Sequence, residues 1–172
     1  NLIRLSLSQS KTNYFFIIIL KKNNFFKEIL KKNKIKVITF NFTFNFNLLN
    51  NFISFFLILK KEKPDLIISW MFHACFFSSF YAWKKNIRLF WCIRHGSFKV
   101  MKTKILTIII AKYILPLISF IPSKIIYNSK FSKTYYENIG YQKKKSLVIY
   151  NGYSKNHFKP NKDIQTQFRK KY

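Results

Sequence analysis

Short unbroken apolar runs, each followed by a helix-length stretch, most limit what this chain can fold into. They are Tyr14–Leu20 (YFFIIIL), Ile35–Phe40 (IKVITF), Leu66–Trp70 (LIISW), Leu89–Ile93 (LFWCI), Lys124–Asn128 (KIIYN) and Leu147–Tyr150 (LVIY). A run with no polar side has nothing to offer water. Such runs fit strands buried on both faces, as in parallel sheets covered by helices. Between them, Phe25, Phe26, Ile29 and Leu30 form a helical stripe with lysines opposite. Leu48–Leu59 reads as an apolar helix ended by Lys60 to Pro64, and Lys130–Asn138 as another helix. About six strands alternating with helices predict an α/β domain built on a doubly wound parallel sheet. Residues 2–10 have a partly helical spacing, and the alternation of Asn41–Asn47 allows a strand or an extended loop.

The central unit is Pro64 to Gly96, two buried strands around a helix. In parallel sheets ligands bind beyond the carboxyl ends of the strands. The sequence puts His73 in a turn after the first of these strands and Arg94-His95-Gly96 after the second. Further along, Ser129 stands where it can N-cap the helix over residues 130–138, with Asn128 before it. Gly140 fits the C′ position of that helix, where φ is positive, and Asn151-Gly152 fits a tight turn. Gly96, Gly140 and Gly152 all fall at element ends, which suggests that each uses its backbone freedom.

At 172 residues the chain is one domain or a piece of a larger protein, and 49% hydrophobic residues exclude global disorder. The formal net charge is +27, carried almost wholly by lysines spread along the chain at element ends. Codon bias of an AT-rich genome accounts for much of this. A nucleic-acid binder clusters its charge and uses Arg for phosphate and base forks, so no nucleic acid is expected. A Lys-rich surface does attract anionic lipid or phosphorylated substrates. Cys75 and Cys92 lie inside apolar runs and read as core residues of a reducing compartment, with no metal site. The chain starts at Asn1 without a secretory signal, and residues upstream are expected. Residues 105–122 are nearly long enough to cross a membrane, but Lys112 and Pro116 interrupt them. A buried helix, a membrane-facing helix and a membrane span all remain open for them.

Taken in order, Trp70-Met71-Phe72-His73-Ala74, Trp91-Cys92-Ile93-Arg94-His95-Gly96, Ile126-Tyr127-Asn128-Ser129-Lys130, Val148-Ile149-Tyr150-Asn151-Gly152-Tyr153 and His157-Phe158-Lys159-Pro160 resemble the N-terminal half of a GT-B-fold glycosyltransferase of family 4. The resemblance covers roughly residues 1–160, with residues 161–172 as a linker to a second domain. It implies a Rossmann-like, acceptor-side domain. The activity it implies is sugar transfer from a nucleotide-sugar to a glycan or lipid-linked acceptor in polysaccharide or glycolipid synthesis. No cofactor is implied, since the nucleotide-sugar is a substrate. The implied location is cytoplasmic, peripheral at the inner face of the cell membrane. Family members begin with a strand and a glycine-rich loop, and carry a second Rossmann-like domain with paired glutamates. This chain resembles neither part, so the resemblance implies a fragment or half of a split enzyme, inactive alone.

By the same resemblance His95 contacts the donor sugar and is the candidate catalytic residue. At a strand's carboxyl end it can stabilise charge on a leaving diphosphate. Arg94 could hold a phosphate or an acidic acceptor, and His73 could shape the acceptor side. Gly96, Asn128 and Ser129 complete the candidate substrate-binding set. Each has a plainer reading: a structural histidine for His73, helix capping for Asn128 and Ser129, a turn for Asn151 and Gly152, and a solvated linker for His157. Two other classes compete with the enzyme. One is a basic, non-catalytic module for anionic membranes or nucleic acid, and the other a small integral membrane protein anchored by residues 105–122.

Overall fold

The computed structural model describes residues 16–19, 24–39, 48–98 and 104–152, together with Leu5 and residues 165, 166, 168 and 169. The expectations for residues 2–4, 6–10 and 41–47, for His157 and for most of the tail lie outside the described residues.

Strands and helices alternate as the apolar runs predict. They are β1 (Phe16–Ile19), α1 (Asn24–Lys32), β2 (Lys36–Thr39), α2 (Leu48–Glu62), β3 (Leu66–Trp70), α3 (Met71–Lys85) and β4 (Arg88–Ile93). After a helix over residues 105–118, α4, come β5 (Lys124–Tyr127), α5 (Lys130–Asn138), a 3₁₀ turn (Lys143–Lys145) and β6 (Ser146–Val148). Every strand pair is parallel, but the strands form two sheets, β1-β2 and β3-β4-β5-β6. Among the described residues no strand joins them. A cavity of about 130 Å³ lies between, lined by Ile18 of β1, Phe55 and Leu59 of α2, and residues 66–69 of β3.

The main core forms where α3, α4 and α5 pack on β4 and β5. Leu89, Trp91 and Ile93 of β4 meet Leu115, Ile125, Tyr127 and Tyr136 there, all fully buried. Trp91 donates its indole N–H to Ser79 Oγ at 3.2 Å, so even the largest core residue satisfies its polar atom. A second cluster joins Phe55 and Leu59 of α2 to Phe77 and Tyr81 of α3. Helix α3 is buried on several sides, and its serines bond inward: Ser78 Oγ donates to Ala74 O at 2.7 Å and Ser79 Oγ to Cys75 O at 2.6 Å. Cys75 and Cys92 are buried and unbridged, and burial pushes the Cys92 thiol up to about 11.

Helix α4 has a local cause for its shape. It runs as α-helix over Ile105–Ile109, widens to a π-helix over Ile110–Ile114 and returns to α-helix over Leu115–Ile118. In the wide register Leu115 N–H donates to Ile110 O. The matching partner of Ala111 O is residue 116, a proline with no N–H to give. Tyr141, fully buried, donates its phenol O–H to that carbonyl at 2.8 Å. The freed backbone acceptor is thereby satisfied. Among the described residues no helix is long and apolar enough to cross a membrane. Helix α4 is neither a span nor wholly buried: Ile110, Ala111 and Leu115 face the core, while Ile105 and Leu117 are about three-quarters exposed, at 78% and 76%.

Helix α5 begins and ends as its sequence predicts. Ser129 Oγ accepts from Ser132 N at 3.1 Å, and Gly140 holds φ +104 beyond the last turn. Neither Gly96 nor Gly152 has a positive φ, so the backbone freedom expected at all three glycines is used at Gly140 alone.

Candidate functional site

The carboxyl ends of the four-stranded sheet form one rim. In the parallel β3–β4 register Trp70 pairs with Cys92, and His73 and His95 each follow three residues beyond that pair. Both imidazoles therefore emerge at the same end of the sheet. Asn128 and Ser129 follow β5 on this rim, and Asn151 follows β6.

His95 is gripped through both backbone and ring. Its carbonyl accepts from Ser132 Oγ at 3.0 Å, and Ser132 is itself held by Ser129 Oγ and lies 3.5 Å from Asn128 Oδ1. The cap of α5 and the loop after β4 thus share one buried hydroxyl. The His95 ring stacks on Phe98 at 4.8 Å between centroids, and Phe72 meets it edge-on at 5.7 Å. Tyr136 brings its phenol oxygen 3.4 Å from His95 Nδ1. Burial pushes the Tyr136 phenol far up, so it keeps its proton. Which way the bond runs follows the His95 tautomer: the phenol donates to a bare Nδ1 or accepts from a protonated one, and in either case Nε2 is the nitrogen turned away from Tyr136.

Arg94 forms a second cluster. Its guanidinium lies over the Trp70 ring, 4.5 Å from the centroid, and donates through Nη1 to Asn151 Oδ1. Residues from the ends of β3, β4 and β6 are joined by this one side chain. Stacking and a planar fork suit Arg and would not survive a change to Lys.

His73 sits in the first turn of α3, not in a separate turn as its sequence suggested, because the helix starts directly after β3. The bend is made at Met71, which adopts φ +69, a left-handed conformation costly for a side chain of this size. Trp70, the N-cap residue of α3, makes no side-chain cap bond, so the first-turn amides present positive partial charge at the rim. Burial, and secondarily the nearby Lys104 ammonium, hold His73 below its ordinary 6.5. It is therefore a neutral hydrogen-bonding group near pH 7.

The six proposed site residues do not form one cluster. His95, Asn128 and Ser129 are joined through Ser132, and Arg94 belongs with Trp70 and Asn151. Ser129 Oγ is committed to the α5 cap. Gly96 is exposed, and a Cβ there would meet only the Phe131 ring at 4.0 Å. Trp70, Phe98, Ser132, Tyr136 and Asn151 were not singled out as site residues from sequence. Ser132 and Tyr136 lie four apart on one face of a helix, a spacing that marks a buried face but not what it touches. Among the described residues no group of three or more His, Cys, Asp or Glu could hold a metal ion.

This rim belongs to a known architecture. Anabaena Alr3699/HepE, solved in complex with UDP, superposes with a TM-score of 0.73 at 18% identity, over 99% of this chain and 44% of that one. UDP-N-acetylglucosamine 2-epimerase from Rickettsia bellii matches with a TM-score of 0.58 at 17% identity, over 86% of this chain and 41% of that one. An S. aureus MnaA–UDP structure gives 0.58 at 11% identity, over 97% and 46%. The chain thus spans less than half of each. These likenesses establish the Rossmann-like GT-B fold. No curated protein matches the chain significantly. The family profile of Glycosyltransferase Family 4 matches residues 16–156, and the chain accordingly belongs to Glycosyltransferase Family 4.

Proposed function

We propose that this chain is the acceptor-side lobe of an enzyme that moves a sugar from a nucleotide-sugar to a glycan or lipid-linked acceptor. The observation that carries the reading is the position of His95, at the end of β4 with its ring orientation fixed by Tyr136, Phe98 and Phe72. In the tautomer where Tyr136 donates to Nδ1, Nε2 carries the ring proton, and an N–H at the edge of a cleft can donate to a donor sugar or to the diphosphate as charge builds on it. Such aimed donors act most strongly where charge develops in the transition state. Arg94, braced on Trp70 and Asn151, offers positive charge to a phosphate or an acidic acceptor. His73, neutral and in the first turn of α3, offers a hydrogen bond on the acceptor side. Asn128 and Gly96 supply the remaining edge, and Ser129 supports it through the α5 cap. The donor enters as a substrate and not as a resident cofactor. Support comes from the family profile and from the Anabaena protein, which was solved with UDP-glucose as well as with UDP. In this reading the 172-residue chain alone does not turn over, because one lobe supplies only one wall of the cleft.

The test is sugar transfer by the complete gene product, with the product followed by NMR. His95→Ala should lower kcat by about 10²-fold or more, the scale for loss of one aimed donor. Unchanged turnover would remove His95 from the mechanism. Conversion of the nucleotide-sugar to its 2-epimer without transfer would replace the transferase reading altogether.

A further inference from the structure

We infer that Lys112 is a phosphate-binding residue of the His95 site, holding a phosphate or diphosphate group beside that imidazole. From Ile105 to Ile118 Lys112 is the single charged side chain of α4, and it is half-buried there. It stands at the middle of the wide turn over Ile110–Ile114, a helical form that occurs in short pieces and often at functional sites. On the core side the bond from Tyr141 to the Ala111 carbonyl holds that turn in place. Lys112 Nζ lies over the Phe98 ring, 5.7 Å from its centroid, within the range of a cation on an aromatic face. The same ring stacks on His95 at 4.8 Å between centroids. Phe98 therefore carries the lysine cation and the candidate catalytic imidazole together.

Charge says what belongs there. Half-burying a cation costs solvation, and a carboxylate ordinarily offsets that cost. No acidic residue occurs in the sequence between Asp65 and Glu137. Glu137 stands 3.8 Å from the Lys133 ammonium, and Glu62 is taken by Lys36 at 2.7 Å. An aromatic face is a weaker counterpart than an anion. A second lysine of the same helix reaches the rim: Lys104, after burial, holds His73 below its ordinary 6.5. Arg94 follows β4 on this rim as well. Cations thus converge here from β4 and α4 with no carboxylate from either element to meet them. A phosphate carries several acceptor oxygens on one centre, so it can accept from Lys112 Nζ and from a His95 N–H at once. The diphosphate of a nucleotide-sugar and a phosphate on the acceptor share this chemistry. Assigning it to one of those two rests on the sugar-transfer reading; the site itself does not.

The experiment is titration of the 172-residue chain with inorganic pyrophosphate at constant ionic strength, read from the His95 ring resonances by NMR. Pyrophosphate should shift them saturably. Lys112→Met removes the charge and keeps an unbranched apolar side chain, and should weaken pyrophosphate by about tenfold or more, the scale of one charge-assisted contact. Its melting temperature should not fall, because the charge it removes has no carboxylate partner. Lys112→Gln, which keeps a polar head, should show the same loss of affinity. A control, Lys143→Gln with Lys144→Gln, removes two exposed lysines at the other end of the sheet and should leave the His95 response unchanged. A His95 ring that ignores pyrophosphate would overturn the inference, as would Lys112 variants that bind as tightly as the parent. So would an equal loss in the control, since general attraction of a basic chain would then suffice. In the complete gene product, displacement of pyrophosphate by UDP would assign the site to the donor's diphosphate. UDP and pyrophosphate bound together would assign it to a phosphate on the acceptor, and either result keeps the site. Conversion of the nucleotide-sugar without transfer would leave these binding results as they are, so the two readings fail separately.

Discussion

Tyr136 stands 3.4 Å from the Nδ1 atom of His95 although the two lie 41 positions apart in the chain. The contact joins the inner face of α5 to the loop after β4, and it sets which nitrogen of the imidazole meets the cleft. Where Tyr136 is the donor, nitrogen-15 NMR of the neutral His95 ring shows its proton on Nε2. Tyr136→Phe should leave a mixture of the two tautomers, with a stability change within about 1.5 kcal/mol, the net scale of one hydrogen bond. A tautomer indifferent to that substitution would mean that Tyr136 only fills space.

His73 gives a prediction in pH. Its folded-state value is held down by burial first and by Lys104 second, below the ordinary 6.5. The unfolded chain therefore takes up this proton at a higher pH than the folded one. The His73 contribution favours folding fully above about pH 6.5, declines as the pH falls through that value, and levels off below the folded midpoint. Thermal melts of His73→Gln against the parent should coincide above neutrality and diverge below it, the variant losing less. In an NMR titration Lys104→Gln should recover only the smaller part of the depression. Recovery of most of it would reverse the order of the two causes.

Tyr141 and Pro116 form a pair that a double-mutant cycle can test. Tyr141→Phe removes the donor to the Ala111 carbonyl and leaves a buried acceptor unpaired, a loss of about 1–3 kcal/mol. Pro116→Ala restores a backbone N–H at the residue whose absence created the need. The loss from Tyr141→Phe should shrink in the Pro116→Ala background, giving a coupling above about 0.5 kcal/mol by urea denaturation. Strict additivity would show that the proline and the phenol do not compensate one another.

Part of the site was legible before any coordinates. The β3–α3–β4 unit could be read from two apolar runs and a helix between them, and parallel pairing then carries His73 and His95 to one rim. Ser129 as N-cap and Gly140 at positive φ follow equally from local chemistry, because a cap or a C′ residue acts within a few positions of itself. The start of α3 at Met71 was not legible. A left-handed methionine contradicts local preference and is held only by the packing around it.

The sequence by itself determined the alternation of buried strands and helices and the end of the sheet at which the histidines and Arg94 emerge. Period and composition act over a few residues, and these features need no more. Tertiary structure alone decided that Tyr136 bonds His95, that Trp70 and Asn151 brace Arg94, and that Tyr141 completes α4. It also decided the split into two sheets and which face of α4 meets solvent. A helix apolar on every side has no periodicity to say which half is covered. Partners 24 or more positions apart leave no local trace, and only the packing of α3, α4 and α5 on the sheet brings them within reach.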